Sequence, residues 1–163
     1  MIICCFAFAV YGQSSSWKST RIGKVSLKYP PTWHTMTESH EGQTAISLTP
    51  DSMRNLHMQI FQIYKLPQSG NHNYAAFKKD FTEILRISDD SRRILKTEEI
   101  SFKNHKTMHA EMIQSSLPGK VYAIDAGTDI YIVVFLQRRY SNTPDPKIER
   151  DVTAILNSIT IDQ

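Results

Sequence analysis

The sequence carries few groups able to act on a substrate, and their spacing limits what each could do. His105 and His109 stand four apart, which on a helix would turn two imidazoles to one face for a metal ion. Their surroundings alternate instead, with Met108, Ala110 and Met112 set against Thr107, His109 and Glu111. That is the period of a strand, where residues four apart share a face but are separated by ~13 Å at about 3.3 Å per residue, too far to hold one ion. His109-Ala110-Glu111 matches the His-x-Glu half of a zinc deaminase motif, yet no Pro-Cys-x-x-Cys accompanies it. His34, His57, Asp125 and Asp129 could meet a serine in space, but there is no Gly-x-Ser-x-Gly elbow to present one. Asp89-Asp90 and Glu98-Glu99 are paired carboxylates of the kind that solvated loops carry. Walker and GxGxxG phosphate loops are missing. The expectation is no catalytic residue, no metal ligand, no cofactor-binding residue and no cofactor.

Composition narrows the partners. The chain has 163 residues, 40% hydrophobic and 21% charged, which suits one globular domain with a core of ordinary size. Its net charge of +3 comes from 19 Lys plus Arg against 16 Asp plus Glu. The adjacent basic pairs Lys78-Lys79, Arg92-Arg93 and Arg138-Arg139 are scattered, and the aromatics are not interleaved with basic residues. Nucleic-acid binders cluster that charge on one face, so no nucleic-acid partner is expected.

The first residues differ in kind. Ile2 to Tyr11 is an unbroken apolar run, too short to span a bilayer as a helix and of the right length for the hydrophobic region of a secretory signal. Val10 and Gly12 are small enough to precede a signal-peptidase cut, and Gln13-Ser14-Ser15-Ser16 suits a polar mature start. No Lys or Arg precedes the run, so the basic region of a complete signal is missing. Residues 1–12 are accordingly read as a signal peptide, either trimmed or with its true start upstream, with a buried N-terminal strand or helix as the alternative; 13–22 are read as a polar lead-in and 23–163 as a single domain. Cys4 and Cys5 both lie inside the run, which leaves the mature chain without thiol or disulfide chemistry. The expected location is periplasmic or secreted; an outer-membrane lipoprotein, attached through Cys4 or Cys5, is the lesser alternative. No transmembrane span is expected.

The elements that would position any site follow from periodicity. Val25, Leu27 and Tyr29 alternate with Ser26 and Lys28 as in a half-buried strand, and Pro30-Pro31 stops it because neither can donate a ladder hydrogen bond. Trp33 anchors the next extended run. Thr44 to Thr49 alternates again, and Leu56 to Tyr64 reads as a strand that changes face at Phe61. Tyr74, Phe77, Phe81, Ile84 and Leu85 recur at helical spacing, predicting a helix over Tyr74 to Ile87 capped by Asn71 or Asn73. Strands follow over Arg92 to Phe102 and Thr107 to Ser115, with turns at Asn104-His105-Lys106 and Pro118-Gly119. Lys120 to Ala126 and Ile130 to Arg138 read as a hairpin joined near Gly127. Ile130 to Leu136 is apolar throughout, as a central strand covered on both faces would be. Pro144-Asp145-Pro146 opens a last helix with inner stripe Ile148, Val152, Ile155 and Leu156, and Ile159 and Ile161 suggest a short closing strand. The fold class is thus α+β: a mostly antiparallel sheet covered by two main helices.

The stretch Gly23-Lys-Val-Ser-Leu-Lys-Tyr-Pro-Pro-Thr-Trp33 resembles the opening strand, proline and tryptophan of the PsbP-like superfamily, which includes the extrinsic proteins of photosystem II and the Ran-binding Mog proteins. The final helix followed by Asn157-Ser158-Ile159 is similar to that family's ending, so the likeness covers Val25 to Ile161. It implies an α/β/α sandwich that works by binding a partner. Tyr29, Pro30 and Trp33 have structural roles under it, and no functional residue carries over.

Two functions remain in view. The first is a non-catalytic envelope or secreted binding or accessory module, whose partner is another protein of the cell envelope. The alternative is a small hydrolase or ligand-processing enzyme with a site assembled from distant residues, which would need a pocket with convergent polar groups.

Overall fold

The computed structural model describes residues 16–40, 43–56, 60–70, 73–87, 92–136, 139–140 and 143–162. The apolar run, Cys4, Cys5, His57, Asp89 and Asp90 lie outside them.

The chain opens with β1 (Lys18–Ile22), β2 (Val25–Tyr29), β3 (Trp33–His40) and β4 (Gln43–Pro50). A 3-10 turn over Asp51–Leu56 leads to β5 (Phe61–Pro67) and helix α1 (Tyr74–Ile87). Next come β6 (Arg92–Phe102), β7 (His105–Gln114), β8 (Leu117–Asp125) and β9 (Asp129–Leu136). The short pair β10 (Arg139–Tyr140) and β11 (Thr143–Pro144), helix α2 (Pro146–Ser158) and β12 (Thr160–Ile161) finish it. Seven strands form one sheet in the order β3-β4-β5-β9-β8-β7-β6, antiparallel at every step. A smaller sheet, β1-β2-β12, is also antiparallel.

The apolar β9 occupies the centre of the large sheet and divides the core in two. Its odd-numbered residues Tyr131, Val133 and Phe135 join Trp33, Phe61, Ile63 and the small sheet beneath α2, with Ile148, Val152 and Ile155 from the helix. Its even-numbered face, from Ile130 to Leu136, meets Met108, Ala110, Met112 and the α1 residues Tyr74, Phe81 and Leu85. Burying each large side chain is worth about 1.5–3 kcal/mol, so both helices are held mainly by these stripes. This is the expected α+β arrangement, a sheet covered by two helices.

Capping follows the sequence. Asp145 Oδ1 accepts the Lys147 amide at 2.9 Å, with Pro146 in the first turn. Asn73 Oδ1 accepts the Ala76 amide at 3.1 Å and so caps α1. Gln68 ties that end down, accepting the Tyr74 amide at 2.7 Å while its side-chain amide donates to Asp125 at 2.9 Å.

Several local expectations are corrected. Residues 18–22, placed in the polar lead-in, pair with β2 from Lys18↔Tyr29 to Ile22↔Val25. Only Ile22 among them is buried, so the strand is held through its neighbour's backbone rather than by an apolar pattern of its own. The strand read over Leu56 to Tyr64 begins at Phe61, because Asp51 starts a 3-10 turn that takes up Leu56. The tight connection expected at Pro118-Gly119 is made by Ser115 and Ser116, with φ of 48° and 69°, and Pro118 and Gly119 lie inside β8. Pro118 is tolerated there because it pairs with β7 only, while the β9 pairing starts at Gly119. Likewise Lys103 and Asn104, with φ of 51° and 66°, make the β6–β7 turn, and His105 already belongs to β7.

Candidate functional site

The strands β6 to β9 carry Ile100, Phe102, Tyr122 and Phe135 on the α2 side of the large sheet, and α2 does not close over all of them. The result is a cleft of about 410 Å³. Its floor is the three aromatic rings, its wall is Ile148, Val152 and Leu156 of α2, and Lys120, Asp145 and Glu149 stand at one end. The other end is bridged by Lys103, whose Nζ donates to the Asn157 carbonyl at 2.8 Å and sits 6.0 Å from the Phe102 ring centre.

Cross-strand register builds the floor. Tyr122 pairs with His109 on β7 and Val133 on β9, one step from Phe135. Ring centres are 5.4 Å apart for Phe102–Tyr122, 4.8 Å for His109–Tyr122 and 6.3 Å for Tyr122–Phe135, the last stacked. Burial pushes the Tyr122 phenol up, and the Glu111 charge adds to this. His109 lies behind the tyrosine, only 7% exposed. Its Nδ1 is 3.2 Å from Glu98 Oε1, and its Nε2 is buried with no hydrogen-bond partner among the described residues.

The remaining groups singled out in the sequence are dispersed. His34 Nδ1 is 3.3 Å from Asp51 Oδ1 beside the 3-10 turn. His105 Nδ1 is 2.9 Å from the Asp125 carbonyl. Asp125 Oδ1 accepts the Gly127 amide at 3.1 Å, closing the β8–β9 turn. Asp129 is buried beside Lys65 at 3.6 Å and accepts the Thr128 hydroxyl at 3.1 Å. Glu98 pairs with Lys96 at 2.8 Å, and Glu99 pairs with Lys78 of α1. His105 and His109 share a face of β7, as their spacing predicts, and each has a different partner. Among the described residues no three His, Cys, Asp or Glu side chains stand together as a metal ion requires. No described helix is long and apolar enough to cross a membrane.

Chemically, the cleft offers an aromatic floor in which Phe135 is buried and Phe102 and Tyr122 are half-buried. Two of its polar groups are tied to α2: Asp145 caps the helix, and the Thr153 hydroxyl donates to the Glu149 carbonyl at 2.8 Å. The arrangement suits an apolar or aromatic segment held by contact. Sequence reading missed Phe102, Tyr122 and Phe135 as a group. Each has the right parity within its own strand, but only the register between strands brings them together.

No family model matches the chain, and no curated protein matches it. Among solved structures, cyanobacterial PsbP (CyanoP) from Synechocystis sp. PCC 6803 superposes with a TM-score of 0.66 over 91% of this chain and 94% of its own, at 6% identity. A protein of unknown function from Pseudomonas aeruginosa, PA94, gives a TM-score of 0.43 over 85% of this chain and 90% of its own, at 12% identity. The likeness to CyanoP is one of fold: this chain has a PsbP-like α+β fold.

Proposed function

We propose that this protein is a non-catalytic binding or accessory module of the cell envelope or secreted fraction, and that it holds another envelope protein against the aromatic cleft beside α2. One observation carries the reading. The cleft concentrates Phe102, Tyr122 and Phe135 with the apolar wall of α2, whereas His34, His105, Asp125 and Asp129 each have partners away from it. Aromatic anchors in a partly desolvated recess are what contribute most to protein contacts. The apolar run from Ile2 to Tyr11 supports the location, as the hydrophobic part of a signal.

The test places a photo-crosslinking phenylalanine analogue at Thr153, beside the cleft, in the full chain expressed in its own cells. One discrete adduct with an envelope protein is expected, lost in the Phe102→Ala variant. Fractionation and mass spectrometry of the same cells should recover a product beginning near Gln13 outside the cytoplasm. An adduct pattern unchanged by Phe102→Ala would overturn the assignment of the cleft, and turnover of an ester, peptide or phosphate substrate by the purified protein would overturn the non-catalytic reading.

A further inference from the structure

The two edges of the large sheet are built differently. β6 is 11 residues long, carries Arg92, Arg93, Lys96, Glu98 and Glu99, and breaks register between Ile94 and Lys96. Charge and a bulge are how an edge is kept from pairing with another chain. β3 has no bulge and little charge. It pairs with β4 without a break from Trp33↔Pro50 to His40↔Gln43, and Glu38 is its one carboxylate. From Thr35 to His40 every residue is exposed, and Met36 at 46% is, with Leu95, one of the two large hydrophobic side chains exposed among the described residues.

The backbone polarity of this edge follows from a proline. Pro50 has no amide proton, so Trp33↔Pro50 is a pair that exchanges no hydrogen bond. The Asp51 amide does donate to the Thr32 carbonyl, at 2.8 Å, on the next step of the same ladder. His34, Met36, Glu38 and His40 therefore bond to β4, and Thr35, Thr37 and Ser39 direct their amides and carbonyls away from the sheet.

We propose that β3 pairs with β3 of a second copy of this chain, antiparallel about a two-fold axis at Met36. In that register Thr35 and Thr37 of each copy exchange both backbone hydrogen bonds. His34 of one copy faces Glu38 of the other, twice, and the two exposed Met36 side chains meet on the axis. The neighbouring register, centred on Thr37, sets Met36 against Glu38 and His34 against His40, so only the first places the His34 ring, whose Nδ1 already faces Asp51 at 3.3 Å, opposite a carboxylate acceptor. The contact is one strand wide and falls below the ~1,200 Å² of a standard interface, which makes the dimer weak and dependent on concentration.

Sedimentation equilibrium of the full chain from micromolar to millimolar concentration tests it. The average mass should rise from one chain of 18.7 kDa toward double that value. Thr37→Pro should stay monomeric throughout with an unchanged circular dichroism spectrum, because the Thr37 amide points away from β4 and is not used among the described residues. A second measurement does not depend on that variant folding. In a Cys4→Ser, Cys5→Ser background, Met36→Cys should oxidise to a disulfide dimer, since opposed residues of a non-bonded pair lie about 4.5 Å apart at Cα, within disulfide reach. Thr37→Cys, out of register with itself, and Leu95→Cys, exposed on the other edge, should cross-link at least tenfold more slowly. A constant monomer mass, Met36→Cys oxidation no faster than these two controls, or fastest cross-linking at Thr37→Cys would each overturn the proposal. So would a chain that stays monomeric but binds extended peptides through this edge, with Thr37→Pro abolishing the binding, because the edge would then take a foreign strand.

Discussion

The Tyr131 hydroxyl accepts the backbone amide of Lys24 at 2.8 Å. This bond joins the first half of the central strand β9 to the β1–β2 turn, and so fixes the small sheet over the large one. Gly23, at the same turn, has φ of +55°, and a Cβ there would overlap the Tyr131 hydroxyl. The motif's glycine is required both by backbone conformation and by this close approach.

Tyr131→Phe should therefore destabilise the fold by about 1–3 kcal/mol, the cost of leaving a partly buried amide without its partner. Gly23→Ala should cost more, because it adds overlap to left-handed strain. Urea unfolding of both variants checks the order, and equal losses would contradict it.

Trp33 is 1% exposed and its indole Nε1 donates to Asp151 of α2 at 3.1 Å. Asp151→Ala should cost about 1–3 kcal/mol by leaving that donor unpaired, and Asp151→Asn, which keeps an acceptor, should recover most of it. Thermal unfolding of the two variants makes the comparison.

The Lys96 ammonium, and then the His109 ring, hold the Glu98 carboxyl below its ordinary range. A carboxylate with a lowered folded pKa contributes stability above the unfolded pKa and loses it as pH falls through the folded one. The melting temperature should decline on acidification below about pH 4.5, where unfolded glutamates begin to protonate, and Glu98→Gln should make that limb shallower. An acid limb of unchanged slope would show that the carboxylate is equally solvated in both states.

Burial, with the charges of Glu99 and Asp125 adding to it, pushes the Tyr74 phenol from 10.0 up to about 12. Its contribution to stability is complete below pH 10 and is lost as pH rises toward 12, because the unfolded chain releases that proton first. Tyr74→Phe should flatten the alkaline limb of a denaturation series over that interval. Part of the slope will remain, since burial also raises Tyr64, Tyr122 and Tyr131.

Much of the architecture was legible because it rests on local patterns. Val25, Leu27 and Tyr29 mark β2 to the residue, the aromatic stripe marks α1 from Tyr74 to Ile87, and Asp145-Pro146 marks the start of α2. What was not legible depends on neighbours distant in sequence. β1 is polar and exists through its pairing with β2. Ser115-Ser116 makes the turn that residue preference assigns to the nearby Pro118-Gly119, because the pairing of two adjacent strands decides where the chain reverses. The aromatic floor fails for a related reason: Phe102, Tyr122 and Phe135 come from three strands, and a shift of one residue in any pairing would send a ring to the other face.

The small sheet has β2 in its middle, with β12 along one side, and there Asp162 donates its amide to Lys24 at 3.0 Å and pairs with Arg21 at 2.7 Å. Ser158 accepts the Lys28 amide at 2.8 Å from the same end of the chain. The small sheet is thus completed by segments that lie 130 residues or more apart in sequence. Contacts that close so long a loop cost more chain entropy than the hairpins of the large sheet, so this edge of the small sheet should be among the last parts of the fold to form.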